Sequence, residues 1–157
     1  MKIHFWSVGK AHEPYVKDGV EQFTKRISHY YPVEWKIIPP PKNSSTLDEA
    51  GMKKKEGEAI LALLQQGDQL VALDERGTLL NSKGLAAHIQ SRANESTKNL
   101  IFLIGGAYGL SDDVMKRADL KWSLSKLVFP HQLVRLILSE QVYRACTIIR
   151  NEKYHHQ

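Results

Sequence analysis

Cysteine is nearly absent from this chain: Cys146 is the only one in 157 residues. A single thiol closes no internal disulfide, which excludes a disulfide-stapled secreted scaffold and favours a reducing compartment. Long apolar runs are missing too. No stretch reaches the roughly 18 residues of a membrane-spanning helix. The opening MKIHFWSVGK has neither a long apolar core nor a small-residue cleavage site, which argues against a secretory leader. Together these features set the expectation of a cytoplasmic protein. Several catalytic signatures are also lacking. Despite seven histidines there is no H-E-x-x-H and no C-x-x-C, so no metal site is expected. There is no G-x-S-x-G nucleophile elbow and no G-x-x-x-x-G-K-[ST] phosphate loop. Neither an internal repeat nor a low-complexity linker interrupts the chain.

What is present is the composition of one ordinary globular domain, expected to span residues 1–157. Apolar residues make up 42% and charged residues 25%, enough for a sizeable core without general disorder. The net charge is +5 and the sequence pI about 9.3. A basic balance raises the prospect of a polyanionic partner without deciding it.

Apolar patterning alternates between strand and helix periods. Ile3 to Val8 reads as a strand closed by Gly9. Glu13-Pro14 opens a helix whose Val16, Val20, Phe23, Ile27 and Tyr30 share one face, with Pro32 as its stop. Val33, Trp35 and Ile37 alternate with Glu34 and Lys36, a half-buried strand. After Pro39-Pro40-Pro41, Thr46 and Glu49 fit a capping box for a helix reaching about Gln66 and carrying Lys53-Lys54-Lys55, a cluster that suits a solvated face. Leu70 to Leu73 is a short strand running into a turn at Asp74-Glu75-Arg76-Gly77. Ser82 starts a helix buried at Leu85, Ala86, Ile89 and Ala93. Leu100 to Ile104 is a continuous apolar run, as in a central strand covered on both faces. Ser111 caps a short helix, Trp122 to Phe129 is strand-like and then irregular, and a long helix runs from His131 to about Ile149. The alternation predicts an α/β fold with a mainly parallel sheet, in which ligands sit at the carboxyl ends of strands.

Two strand ends carry candidate chemistry. Gly105-Gly106-Ala107-Tyr108-Gly109 follows Ile104 directly, and adjacent glycines allow both a sharp turn and close approach of a ligand to the backbone. The spacing is not the dinucleotide G-x-G-x-x-G, which makes a nucleotide-dependent oxidoreductase a poor reading. Asp74 stands where an acid bonds a ribose or merely caps a turn. In the last third, Arg135, Glu140 and Arg144 interrupt an otherwise apolar helix, and Tyr154, His155 and His156 end the chain; arginine suits phosphate because its planar fork donates paired bonds. Cys146, inside that helix, reads as packing.

Taken in order, Leu73-Asp74-x-x-Gly77, Phe102-x-Ile104-Gly105-Gly106-x-x-Gly109, Ser123-Leu124-Ser125, His131-x-x-x-Arg135-x-x-Leu138-x-Glu140-Gln141-x-Tyr143-Arg144-Ala145 and Asn151-x-x-Tyr154-His155 resemble the SPOUT-class family of ribosomal large-subunit pseudouridine N3-methyltransferases, the RlmH family. The resemblance covers essentially the whole chain. It implies an α/β domain with a C-terminal trefoil knot, although threaded connections are rare in general. It also implies a homodimer with the active site where two chains meet, and no metal. The cofactor implied is S-adenosyl-L-methionine, contacted at Leu73, Gly105, Leu124, Ser125, Lys126, Leu127, Val128 and Phe129. The substrate implied is a pseudouridine in a stem-loop of 23S ribosomal RNA, methylated on N3. Arg144, Tyr154 and His155 take the catalytic positions, and Arg135 and Arg144 become candidates for RNA contact. Two alternatives remain at this level: a SPOUT methyltransferase acting on another RNA such as transfer RNA, and a non-enzymatic RNA- or ribosome-binding protein.

Overall fold

Residues 1–156 are described by the computed structural model; Gln157, the last residue of the expected domain, lies outside them. Strands and helices alternate: β1 (Lys2–Val8), α1 (Pro14–Ile27), β2 (Val33–Ile38), α2 (Glu49–Leu63), β3 (Gln69–Leu79), α3 (Ser82–Asn94), β4 (Asn99–Ile104), α4 (Asp112–Arg117), β5 (Leu120–Ser123) and α5 (His131–Ile149). The strands form one parallel sheet in the order β2-β1-β4-β3-β5. This is the predicted α/β architecture.

Side-chain alternation along the strands sorts the core into two layers. Ile3, Phe5, Val71, Leu100, Phe102 and Ile104 face α1, α3 and α5. Trp6, Val8, Leu70, Ala72, Ile101 and Leu103 face α2 and α4. β4 is therefore apolar at consecutive positions because both of its faces are covered. Each Leu, Ile or Phe so enclosed contributes about 1.5–3 kcal/mol. α5 packs between α1 and α3, which carries the chain from the β5 edge back under the middle of the sheet.

Four local expectations are corrected. α1 stops at Ile27, short of Pro32, and the amides of Tyr30 and Tyr31 turn back onto the Ile27 carbonyl. Proline disfavours the helical conformation of the residue before it, and the Pro32 carbonyl already accepts from Ile3 in the sheet. Thr46 is not the cap of α2. It ends a single 3₁₀ turn, Ser44–Thr46, with its hydroxyl donating to Asn43 O, while the Asp48 carboxylate accepts from the Gly51 amide at 2.7 Å. α2 then ends at Leu63 rather than Gln66, with Asp68 accepting from the Gln65 amide. Finally, Asp74–Gly77 is not a strand-ending turn. β3 runs on to Leu79, and Leu73 and Thr78 both pair with Trp122, so residues 74–77 form a bulge within the strand. Gly77 permits this approach: a Cβ there would lie 2.6 Å from the Lys121 backbone.

Candidate active site

The carboxyl ends of β4, β3 and β5 lie side by side, and a cavity of about 550 Å³ opens over them. β3 supplies Leu73 and Asp74. Ile104 leads into the glycine loop, whose Gly109 amide donates to the Gly106 carbonyl at 3.1 Å. Gly109 has φ +85°, which glycine adopts without strain. A Cβ on Gly105 would meet Leu110 at 2.9 Å, and one on Gly106 would lie 2.6 Å from the Glu56 carboxylate. The loop is thus glycine on its inner side because neighbours already fill the space.

The connection from β5 to α5 forms the opposite wall through Leu124, Ser125, Leu127, Val128 and Phe129. Leu127 and Val128 are 70% and 84% exposed, unusual for adjacent apolar side chains. Lys126, in the same stretch, is exposed and does not line the cavity. Asp74 lines it but is occupied: its carboxylate accepts from the Arg76 amide at 2.9 Å and from the guanidinium at 2.9 and 3.0 Å. The Arg76 hydrogen bonds hold its carboxyl below the ordinary range. Lys53 is half-buried at this rim beside Glu49, rather than on a fully solvated face.

A second group of polar residues assembles at the end of α5. Glu140 Oε1 accepts from Arg144 Nε at 2.9 Å and Nη2 at 2.6 Å, and from the Tyr154 hydroxyl at 3.2 Å. Its other oxygen accepts from Gln141 Nε2 at 2.8 Å. The Arg144 guanidinium lies 4.7 Å from the centre of the Tyr154 ring, within cation–π range. Arg144 Nη1 meets His155 Nδ1 at 3.2 Å. Since arginine only donates, Nδ1 accepts there and the ring proton of neutral His155 sits on Nε2. Burial, and then the Glu140 charge, raise the Tyr154 phenol above its ordinary pKa. Tyr154 accordingly keeps its proton and donates it in the hydrogen bond to Glu140.

Arg144, Tyr154 and His155 are thus brought together, and Glu140, which sequence reasoning did not place among them, bonds Arg144 and Tyr154 directly, while His155 joins through Arg144. Arg135 is elsewhere. It is 1% exposed, with Nε donating to Ser7 Oγ at 2.9 Å and Nη1 beside His12 Nδ1 at 3.2 Å. In the folded chain Arg135 therefore presents almost no surface to a partner. Cys146 is buried, and desolvation pushes its thiol up to about 12, far from a nucleophile's range. Among the described residues no cluster of His, Cys, Asp or Glu is gathered as a metal site requires, and no helix is long and apolar enough to cross a membrane.

A family model described as "Predicted SPOUT methyltransferase" matches residues 1–155. The chain belongs to the SPOUT methyltransferase family. Among its relatives, a protein of Cytophaga hutchinsonii is 50% identical over 156 residues, covering 99% of this chain and all of that one. Proteins of Parabacteroides distasonis and Christiangramia forsetii are 45% and 46% identical over 157 residues, covering both chains completely. All three relatives are named "Ribosomal RNA large subunit methyltransferase H". For a SPOUT methyltransferase, the first cavity has the right character for the methyl donor. Its apolar wall suits an adenine, the glycine loop leaves main-chain groups within reach, and charges of both signs stand at the rim.

Proposed function

We propose that this SPOUT methyltransferase transfers a methyl group from S-adenosyl-L-methionine to N3 of a pseudouridine in a stem-loop of 23S ribosomal RNA. The observation that carries this is the gathering of Arg144, Tyr154, His155 and Glu140 into one hydrogen-bonded cluster, in a chain that matches large-subunit methyltransferases along its full length.

Leu73, Gly105 and the stretch Leu124 to Phe129 would hold the cofactor; within that stretch Lys126 does not line the cavity. Bound there, S-adenosyl-L-methionine supplies an electrophilic methyl group on a sulfonium. Glu49 and Glu75 offer partners for the cationic amino group of such a ligand, and Lys53 and Arg76 for its carboxylate. With that donor bound, its methyl group would pass to N3, the thioether would leave with the bonding pair, and the N3 proton would go to water, while this chain's residues hold the base in place. Arg144 stabilises the negative charge that builds on the imide as that proton goes. Tyr154 holds the guanidinium plane and closes over the base. His155 presents its Nε2–H to a carbonyl of the ring. Glu140 keeps Arg144 in one orientation, a geometric contribution that costs little at the moment of transfer.

The active form is proposed to be a homodimer acting in the cytoplasm, where its ribosomal substrate is. Exposed Leu127 and Val128 at the cavity mouth support a second chain covering that edge. A trefoil knot formed by the β4–α5 region belongs to the same proposal, supported by the return of the chain from β5 to α5 beneath the sheet. Nucleoside mass spectrometry of large-subunit RNA, before and after incubation with the protein and cofactor, tests the reaction. One added methyl on a pseudouridine is the expected result. Methyl appearing only on transfer RNA would overturn the substrate assignment.

A further inference from the structure

A second cavity, of about 500 Å³, adjoins the first. Its size falls within the range of small-molecule sites, roughly 300–1,000 Å³. The two cavities share Trp122, Leu124, Ser125 and Phe129. The far side of the second is built by Ser82 and Lys83 at the amino end of α3 and by Ile137, Gln141 and His155 on α5 and the tail.

Three features select its occupant. The wall contains two flat aromatic side chains with aliphatic neighbours, which suits a planar ring. Trp122 is 3% exposed, and its buried indole N–H has no acceptor among the described residues. A buried donor is ordinarily satisfied; a ring carbonyl in the cavity would reach this one only after a small turn of the indole. The rim is polar and wired to the catalytic group: the Ser82 hydroxyl donates to Gln141 Oε1 at 2.9 Å, and Gln141 Nε2 donates to Glu140. Lys83 adds the positive charge that a phosphate prefers.

We propose that the second cavity receives the target nucleotide of the RNA, everted from its loop, with a uracil-type base against the Trp122–Phe129 wall and its phosphate toward Lys83. This rests on the methyltransferase reading and deepens it by assigning the base a pocket. Chemistry on a base requires that it leave the stack. A ring in this cavity and a methyl donor in the first touch the same four residues, which brings the reacting partners to one edge. Gln141 and Ser82 then become specificity-determining residues, and His155 reaches the base from the same side.

Ser82→Phe tests the proposal because Ser82 lines only the second cavity. With large ribosomal subunits lacking the modification as substrate, Ser82→Phe is expected to lower kcat/KM by about tenfold or more. Affinity for S-adenosylhomocysteine, read by calorimetry, should stay within about twofold of wild type. Wild-type turnover by Ser82→Phe would overturn the pocket assignment while leaving the methyltransferase reading intact. A wild-type protein that binds S-adenosylhomocysteine but methylates no RNA would overturn both. If Ser82→Phe does not fold, 4-thiouridine placed at the target position decides. Photocrosslinks mapping to Trp122, Phe129, Ile137 or His155 support the pocket, and crosslinks confined to other residues overturn it.

Discussion

Glu140 and Arg144, one helical turn apart on α5, are joined by two hydrogen bonds to a single carboxylate oxygen, at 2.9 and 2.6 Å. An i, i+4 pair on an exposed helix adds only about 0.2–0.5 kcal/mol, so stability is a weak reason for this geometry. Its consequence is to fix the guanidinium while leaving Nη1 directed to His155. Glu140→Gln is therefore expected to lower kcat by about 10²-fold through misplacement of Arg144, with cofactor affinity unchanged. Arg144→Lys should not restore activity, because an ammonium cannot reproduce the planar fork. Steady-state kinetics beside calorimetric cofactor titration separates these effects.

Removal of the last four residues, Tyr154 to Gln157, deletes the ring beneath Arg144 and the imidazole beside it. Residues 154–156 belong to no strand or helix. The truncated chain should keep its circular dichroism spectrum and its affinity for S-adenosylhomocysteine while losing turnover. Full activity after truncation would remove the tail from the site.

The bulge in β3 makes a prediction about stability. A Cβ at Gly77 would sit 2.6 Å from Lys121 backbone atoms and 2.7 Å from the Trp122 amide, none of which can rotate away. Gly77→Ala should destabilise the fold by about 1–3 kcal/mol, read as a shift of the urea midpoint. Gly67→Ala offers a contrast: a Cβ there meets nothing within 4 Å, and only its φ of +90° opposes the change.

Glu56 is 5% exposed, and burial raises its carboxyl above the ordinary range. The folded chain thus holds this proton at pH values where the unfolded chain has released it. Stability from this group is fully present below the unfolded pKa and is lost as pH rises through the folded one. Glu56→Gln should accordingly be more stable than wild type above that window, with the difference fading in acid. Denaturant melts across pH measure it; a pH-independent difference would contradict the assignment.

The fold was legible in the sequence because periodicity reports burial. β4 reads as a continuous apolar run since both of its faces are covered, and α5 is bounded where expected, at His131 and Ile149. The misread places depend on tertiary partners. Asp74–Gly77 has the residues of a turn, yet β5 lies close enough to keep pairing with β3 beyond it. Thr46 and Glu49 have capping spacing, but Asp48 is the residue in extended conformation with a carboxylate over Gly51. The resemblance singled out Arg144, Tyr154 and His155, which the fold brings together, whereas nothing local reveals that Arg135 is turned inward onto Ser7, 128 positions away. Ser82 and Gln141, 59 positions apart, meet only because α3 packs on α5.

The most direct test follows methyl transfer from labelled S-adenosyl-L-methionine to 70S ribosomes, 50S subunits and free 23S RNA lacking the modification, with wild type and Arg144→Ala in parallel. Wild type is expected to label a single pseudouridine of the large-subunit RNA, while Arg144→Ala binds the cofactor normally and is slower by about 10²-fold or more. Equal labelling by the two proteins, or none by wild type on any of these substrates, would contradict the assignment of the Arg144 group as the centre of an RNA methyltransferase site.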